Sequence, residues 1–303
     1  MMFRLAKKLI RPGVHGLIVK ISRTRVTGEN VEDARVAGDY LLKRGYSVTL
    51  AYWNRDDDTP AAVISKYEEA LEAMRGMAGR AYLSLKSPAF DFDPHLYGGL
   101  LARARELDIP LHFDSLGHEF ADRTFSLITE HTPPPLQDIG CTLPGRWKRS
   151  PADAEKAAAL GLAVRVVKGE WPDPEDTLAD PRKGFLDVVS QLAGKARSVR
   201  IATHDCNLAR QSIRMLHQAG TPCDLELLYG FPVRNVLPHV RDMNVPIRLY
   251  VPYGHGWVPY CWKHVSRRPG FLWWLLKDSL AGRYQDGFSE RDPTSASPVN
   301  TPR

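Results

Sequence analysis

The chain has 303 residues, of which 43% are hydrophobic and 25% are charged, and its formal net charge is +6. This composition is ordinary for a soluble globular enzyme with one large domain or two smaller ones. The mild positive charge is compatible with anionic ligands or anionic lipid, but no aromatic RNA-binding motif or zinc-finger spacing accompanies it, so we expect no nucleic-acid partner.

The cysteines and the two ends of the chain bear on compartment. None of the four cysteines lies in a CxxC pair, which predicts free thiols in a reducing compartment and no structural zinc. No apolar run approaches the roughly 18 residues of a spanning helix. The start, "MMFRLAKKLIRPGVHG", lacks the apolar stretch of a signal peptide, so we expect a cytoplasmic protein.

From residue 30 onward, helical and strand patterns alternate. Asn30 precedes apolar residues at helical spacing that end at Gly45, and a β-branched segment follows. The same pair of patterns recurs to residue 254. The predicted strands cover residues 46–53, 80–86, 109–114, 138–144, 163–169, 198–205, 223–230 and 245–254. The predicted helices cover residues 30–45, 61–76, 96–108, 119–131, 151–161, 184–196, 207–220, 233–244 and about 258–268.

This alternation predicts an α/β fold, a (β/α)8 TIM-type barrel with an N-terminal helical arm. The strands are short and almost continuously apolar, as expected of parallel strands buried on both faces. A doubly wound open sheet is the alternative, but it usually has a glycine-rich turn after its first strand, where this chain reads "AYWNRDDD". We predict an N-terminal arm and helix over 1–45, a barrel over 46–283 and a disordered tail over 284–303.

Active sites of such barrels lie at the carboxyl ends of the strands, so the polar residues there are the candidate site. Cations at the ends of strands two, five and eight would meet at one mouth. A buried cation needs an anionic or electron-rich partner, and Asp114 and Glu226 can neutralise only some of them. The pattern therefore favours an anionic ligand or a ring that gains negative charge. The strand-end residues are Asn54, Arg55, Lys86, Asp114, Arg149, Arg165, Lys168, Glu170, Thr203, His204, Asp205, Glu226, Tyr229, Arg248, Tyr250 and Tyr253.

Four segments in order, "RVVKGEW", "IATHD", "ELLYG" and "RLYVPYGHGWVPY", resemble the fingerprints of the proline dehydrogenase family. The resemblance extends over residues 80–260, most of the barrel. It implies a barrel that binds FAD non-covalently and removes a hydride equivalent from the carbon next to the proline nitrogen. It also implies a quinone-type electron acceptor, which would place the protein in the cytoplasm or at the periphery of the inner membrane.

The resemblance also suggests residue roles. Arg165 and Lys168 match family residues beside the flavin ring, where a cation favours the reduced form, and Gly169 would let the backbone approach the cofactor. The predicted cofactor-binding residues are Arg165, Lys168, Gly169, Thr203, His204 and Glu226. The predicted catalytic residues around the substrate are Lys86, Asp114 and Tyr250. Glu170 and Tyr229 are candidate substrate contacts.

The helix after the eighth strand departs from the family pattern. Members carry R-R-x-x-E there, and the two arginines hold the proline carboxylate as a fork that lysine does not copy. In this chain the matching positions hold Lys263 and His264, and Arg267 replaces the glutamate. Arg267 and Arg268 follow one helical turn later. The candidate carboxylate contacts are therefore Lys263, His264, Arg267 and Arg268.

Three hypotheses follow. The first is an FAD-dependent dehydrogenase that converts proline, or a related cyclic or secondary amino acid, to an imine, with a downstream aldehyde dehydrogenase as a candidate partner. The second is a family relative with altered catalysis that acts as a binding protein. The third is a metal-dependent hydrolase that uses His112, Asp114, His204 and Asp205. A structural salt bridge between Lys86 and Asp114 is the alternative to their catalytic roles.

Overall fold

The computed structural model describes residues 28–177, 179–231 and 233–255. Eight parallel strands close into a barrel in chain order, and the last strand pairs with the first. The open-sheet alternative is excluded because the barrel closes, and all eight predicted strands are confirmed. The strands are β1 (Ser47–Tyr52), β2 (Ala81–Leu85), β3 (Leu111–Phe113), β4 (Ile139–Pro144), β5 (Ala163–Val167), β6 (Ser198–Ala202), β7 (Cys223–Leu228) and β8 (Ile247–Tyr253).

Helices surround the barrel at the predicted places. The α-helices of the described residues are α1 (Val31–Lys43), α2 (Pro60–Ala73), α3 (Pro94–Glu106), α4 (Ala121–His131), α5 (Ser150–Ala159), α6 (Pro181–Leu192), α7 (Cys206–Gln218) and α8 (Leu237–Val240). Short 3-10 turns cover Ser87–Phe90, His118–Phe120 and Arg241–Met243. Helix α1 precedes the first strand and packs against β1 and β8, so it belongs to the helical layer of the barrel.

The last described helix is shorter than the sequence predicted. A helix was expected over 233–244, but only Leu237–Val240 is α-helical. The α-helix begins at Leu237, and Pro238 lies in its first turn, where the missing N–H of proline is tolerated. The apolar residues before it, such as Val233 and Val236, are buried in the core outside the helix.

The strands alternate between two environments. In β5, Val164 and Val166 belong to the apolar core between barrel and helices, whereas Arg165 between them contacts residues of β2 and β7 across the barrel. This two-residue period follows from the pleat of a β-strand, which points successive side chains to opposite faces. The apolar core thus lies outside the strands, and the barrel interior is strongly polar.

Several side chains fix the loops that follow the strands. Thr59, Asp93, Asp180 and Asp205 each accept a hydrogen bond from a backbone N–H in the first turn of the helix that they precede. Such capping satisfies N–H groups that have no partner within the helix. The turns at the carboxyl ends of the strands, where the candidate site lies, are therefore held by local bonds.

Some predictions lie outside the described residues. They include the basic arm before residue 28, the helix at about 258–268, the tail over 284–303 and all four candidate carboxylate contacts. The domain boundaries at 45 and 283 stay predictions. In the part of the chain that the structure describes, no helix combines the length and apolar character needed to span a bilayer.

Candidate active site

A buried ion network fills the upper part of the barrel interior and centres on Arg165. This arginine is the middle residue of β5 and only 4% exposed. Its guanidinium pairs with the carboxylates of Asp114 and Glu226, and its Nε donates to Thr142 Oγ1 at 3.0 Å. Burial alone would lower the pKa of Arg165, but the two carboxylates outweigh it and hold the pKa well above its ordinary value. The charge of Arg165 is therefore neutralised within the protein.

Asp114 follows β3 directly and joins this network to the eighth strand. Its Oδ1 accepts a hydrogen bond from Ser84 Oγ at 2.6 Å, and its Oδ2 accepts one from the Tyr250 hydroxyl at 3.0 Å. Trp53 Nε1 donates to the same hydroxyl at 3.2 Å. Burial and the nearby negative charge of Asp114 raise the pKa of Tyr250 well above its ordinary value. Tyr250 is thus a neutral hydroxyl of fixed direction, and two of the predicted catalytic residues are in contact.

Lys86 follows β2 and lies beside this group without joining it. Its ammonium donates to the Tyr52 carbonyl at 2.6 Å and lies 5.1 Å from the centre of the Trp53 ring. It forms no ion pair with Asp114, so the alternative of a structural salt bridge is wrong. Burial is the main reason that the pKa of Lys86 falls to about 8; the charge of Asp114 opposes the shift and that of Arg165 adds to it. Lys86 is a half-buried cation without a directly bonded carboxylate.

Glu226 lies in the middle of β7, within the barrel and not at its rim. Its Oε1 accepts from Thr49 at 3.0 Å and from Arg165 at 3.3 Å, and its Oε2 accepts from the Tyr82 hydroxyl at 2.6 Å. Three protein donors therefore surround a carboxylate that is almost fully buried. Glu226 adjoins the network as the counter-charge of Arg165, and a direct cofactor contact by Glu226 stays a prediction.

Arg248 was expected among the cations at the barrel mouth, and this expectation is wrong. It is the second residue of β8, so it lies at the amino end of the strand, close to the opposite opening of the barrel. There it pairs with Asp224 at 2.8 Å and donates to the Val48 carbonyl at 2.8 Å. The guanidinium groups of Arg248 and Arg200 both lie over the Tyr82 ring. These contacts form the base of the barrel.

The backbone conformation and the packing within the protein explain why residue 169, shortly after β5, is a glycine. Gly169 has a φ of +90°, and a Cβ added there would lie 2.7 Å from Pro144 Cβ and 3.3 Å from Arg146 Cβ. A side chain at this position would therefore face both an unfavourable backbone conformation and the end of β4. Close approach of a cofactor to Gly169 stays a prediction, as does a cofactor contact by Lys168.

Arg146 is the cation at the end of β4 that the sequence analysis missed. Its Nη1 donates to the Glu170 carbonyl at 3.5 Å, so it lies at the same part of the rim as the end of β5. The sequence predicts Arg149 for this place, but Arg149 pairs with Asp122 and Asp153 on α4 and α5. Arg149 therefore joins helices outside the barrel. The sequence signal for Arg146 was its place two residues after the strand, closer than Arg149.

The turn after β6 holds the motif residues by local bonds. Thr203 Oγ1 accepts from the backbone N–H of Asp205 at 3.1 Å, and His204 Nε2 accepts from the N–H of Leu228 at 2.9 Å. This geometry assigns the proton of a neutral His204 ring to Nδ1. Asp205 caps α7 and pairs with Arg182 at 2.7 Å. Contacts of Thr203 and His204 with a cofactor stay predictions.

The geometry does not favour the metal-dependent hydrolase. His112 lies inside the barrel, where its Nε2 is 3.1 Å from Thr142 Oγ1, and burial lowers its pKa well below the ordinary value. Asp114 is paired with Arg165, and His204 and Asp205 have the partners given above. Among the described residues, no three His, Cys, Asp or Glu side chains are grouped so that they could hold a metal ion.

Tyr229, a candidate substrate contact, has surroundings that include α1. Its backbone N–H donates to the Tyr250 carbonyl at 2.8 Å. Burial raises the pKa of Tyr229, and an electrostatic interaction with Tyr40 of α1 raises it further. The substrate contacts predicted for Tyr229 and Glu170 stay predictions.

A cavity beside Asp114 is not the shared hollow that the rim cations were expected to line. It lies between β3, β4 and helix α4, and its walls include Phe113, Phe125, Leu143 and Trp147. Lys86, Arg165 and Lys168 do not line it. The cations that face a ligand must therefore be sought at the rim and not in this cavity.

Comparison with known proteins gives close agreement in length but low identity. No protein-family profile matches the sequence. Proline dehydrogenase 1 of Bacillus subtilis subsp. natto is 22% identical over 277 residues, which cover 86% of this chain and 90% of that protein. Proline dehydrogenase of Deinococcus radiodurans is 24% identical over 281 residues, which cover 85% of this chain and 89% of that protein. Over most of its length the chain is therefore similar to proline dehydrogenases. The resemblance inferred from the four motifs is confirmed.

Solved structures of proline utilization A (PutA) share the fold of this chain. PutA of Bdellovibrio bacteriovorus, inactivated by N-propargylglycine, aligns with a TM-score of 0.71 at 15% identity over 93% of this chain. PutA of Corynebacterium freiburgense aligns with a TM-score of 0.65 at 17% identity over 96% of this chain. This chain covers about a third of each of those chains, 36% and 35% respectively. These likenesses show the fold.

Proposed function

We propose that this protein is a flavin-dependent proline dehydrogenase that oxidises proline, or a related cyclic or secondary amino acid, at its C–N bond to an imine. The observation that carries the proposal is the convergence of Asp114, Tyr250 and Arg165 beside Lys86, in a chain related over most of its length to proline dehydrogenases. These are the predicted catalytic residues and one of the predicted cofactor residues.

The donor set of the rim fits a flavin. A flavin presents ring carbonyl oxygens, and FAD adds phosphate oxygens, so its site needs N–H donors and cations at the rim. Lys86 supplies a half-buried ammonium, and Arg146 supplies a buried Nε–H that has no acceptor among the described residues. Flavin, when bound, accepts the hydride equivalent that leaves the substrate. We infer that the cofactor is FAD and that it is held non-covalently by Lys168, Thr203, His204 and the backbone at Gly169.

The residues of the chain would act by position and charge. Both oxygens of Asp114 accept hydrogen bonds, so its role is to fix the Tyr250 hydroxyl and the Arg165 guanidinium. The fixed hydroxyl and the aromatic ring of Tyr250 would orient the substrate, since a rigid site converts binding into alignment of the reacting C–H bond. Lys86 would place positive charge beside the reacting atoms.

The remaining parts of the proposal concern the surroundings of the reaction. Substrate carboxylate binding is assigned to Lys263, His264, Arg267 and Arg268, with Glu170 and Tyr229 as further contacts. A quinone-type acceptor would take the electrons, in the cytoplasm or at the inner face of the membrane. A separate aldehyde dehydrogenase would consume the product once the imine has been hydrolysed.

The visible spectrum of the purified full-length protein tests this function. The proposal predicts flavin absorption that bleaches when L-proline is added without oxygen. Flavin absorption that ignores proline but bleaches with another secondary amine would keep the reaction and change the substrate. A colourless protein that does not take up added FAD would contradict the proposal and favour a binding protein with altered catalysis.

A further inference from the structure

Arg146 lies where the ends of β4 and β5 meet, at the same rim segment as Lys168 and Gly169. A Cβ built on Gly169 would lie 3.3 Å from the Cβ of Arg146. Its Nη1 reaches the Glu170 carbonyl. The side chain therefore borders the segment in which the sequence places two cofactor contacts, although no motif marks Arg146 itself.

The positive charge of Arg146 is not neutralised by the described part of the protein. Its guanidinium forms no ion pair with a carboxylate there, and its single hydrogen bond, to a carbonyl at 3.5 Å, is long. Its Nε is buried and has no acceptor among the same residues. Arg165 and Arg149, in contrast, each pair with two carboxylates. A buried guanidinium donor without an acceptor is destabilising unless a ligand supplies one.

Arg146 is not needed to join the two rim segments. Gly145 N–H donates to the Val167 carbonyl at 2.7 Å, and Trp147 Nε1 donates to the Trp171 carbonyl at 3.0 Å. The backbone N–H of Lys148 donates to the buried Asp173 carboxylate at 2.7 Å. Three bonds shorter than that of Arg146 already hold the end of β4 against the end of β5. A purely structural role for the Arg146 guanidinium is therefore poorly supported.

We propose that Arg146 is a cofactor-binding residue whose guanidinium donates to an oxygen of bound FAD. The inference rests on the proposed flavin-dependent function and extends it to a residue outside the family motifs. The shared ligand chemistry is an electron-rich oxygen, either a ring carbonyl or a phosphate oxygen. The planar fork of arginine suits both, and it gives up less conformational freedom per hydrogen bond than lysine would.

The test measures binding of FAD, FMN and riboflavin to cofactor-free wild type, Arg146→Gln and Arg146→Lys. Lys148→Gln is the matched control, because its exposed side chain lies two residues further along the same loop. We expect the FAD Kd of Arg146→Gln to rise about 10- to 100-fold, as the loss of a charge-assisted hydrogen bond implies. Arg146→Lys should be intermediate, and Lys148→Gln should stay within about twofold of wild type.

The ligand series locates the oxygen, and thermal melting separates binding from structure. An equal loss for riboflavin and FAD assigns the bond to the ring, whereas a loss confined to FAD and FMN assigns it to phosphate. The cofactor-free Arg146→Gln variant should melt no lower than wild type, because it no longer buries an unsatisfied donor. Wild-type FAD affinity in Arg146→Gln, or a drop in melting temperature that is the same with and without FAD, would overturn the inference alone. Failure of the wild type to bind FAD would instead overturn the proposed function and the inference with it.

Discussion

The interior of the barrel and its rim treat positive charge in opposite ways. In the interior, Arg165 pairs with Asp114 and Glu226, and Arg248 pairs with Asp224. At the rim, Lys86 contacts a carbonyl and an aromatic ring, and Arg146 contacts a carbonyl. Carboxylates of the fold thus balance Arg165 and Arg248, although Arg200 at the base of the barrel keeps buried guanidinium nitrogens without a partner. No described carboxylate pairs with Lys86 or Arg146, so under the proposed function these two rim cations are the ones that a ligand would meet. A cation that looks functional in the sequence can therefore be structural, and a cation that no motif marks can face the ligand.

The largest expected effect concerns the interior. Replacing Glu226 by leucine would leave Arg165 with one carboxylate and would remove the acceptor for Thr49 and Tyr82. Breaking a buried ion pair from one side is strongly destabilising, so the free energy of unfolding should fall by about 3–5 kcal/mol. Chemical denaturation measures this. Glu106→Gln, which removes an exposed i,i+3 partner of Arg103, is the control and should change stability by less than about 1 kcal/mol. If Glu226→Leu lowers the free energy of unfolding as little as Glu106→Gln does, then the distinction between interior and rim is wrong.

A second expected effect concerns the backbone at Gly169, where the end of β5 packs against the end of β4. Gly169→Ala would place a methyl group against Pro144 at positive φ, and we expect a loss of about 1–3 kcal/mol in the free energy of unfolding. Gly161→Ala is the matched control, since Gly161 also has positive φ but has open space around it. The difference between the two variants measures the packing of the β4 end against the β5 end. If Gly161→Ala proves as costly, then backbone strain alone explains the glycine.

A third effect separates orientation from folding at the boundary of the network. Tyr250→Phe removes the hydroxyl that donates to Asp114 and accepts from Trp53. The free energy of unfolding should fall by about 1 kcal/mol, the usual contribution of a hydrogen bond. Proline turnover should fall more, about 10- to 100-fold in kcat/KM, as expected when an orienting group is lost. If the loss of folded protein alone accounts for the fall in kcat/KM, then Tyr250 does not orient the substrate.

The smallest effect is a pH dependence at the rim. Because the folded pKa of Lys86 is about 8 and its ordinary value is 10.5, the unfolded chain binds more protons than the folded chain between these pH values. Stability of the wild type relative to Lys86→Met should therefore rise with pH across this window. The affinity of the wild type for FAD should fall as the pH rises through 8, because the ammonium of Lys86 loses its charge. Lys86→Met should show no such fall. Parallel pH profiles for the two proteins would exclude Lys86 as the titrating group.

Sequence patterns were sufficient for the elements that depend on local periodicity. The eight strands, their order and the family resemblance followed from apolar runs and four motifs within residues 80–260. Contacts across the closed barrel were not predictable in the same way. The pairing of Arg165 with Glu226 joins residues 61 positions apart and depends on the geometry of closure. The misplacement of Arg248 and the preference for Arg149 over Arg146 have a different cause, because the positions of Arg248 near the start of β8 and of Arg146 two residues after β4 can be read from the sequence itself.

Anaerobic titration of the full-length, FAD-supplied protein with L-proline tests the central claim most directly, because it requires both a flavin at the rim and a substrate beside it. The account predicts stoichiometric binding of FAD and complete loss of its visible absorption as proline is added. A protein that binds no FAD, or that binds it and keeps its absorption with proline and with every other secondary amino acid, would contradict the account.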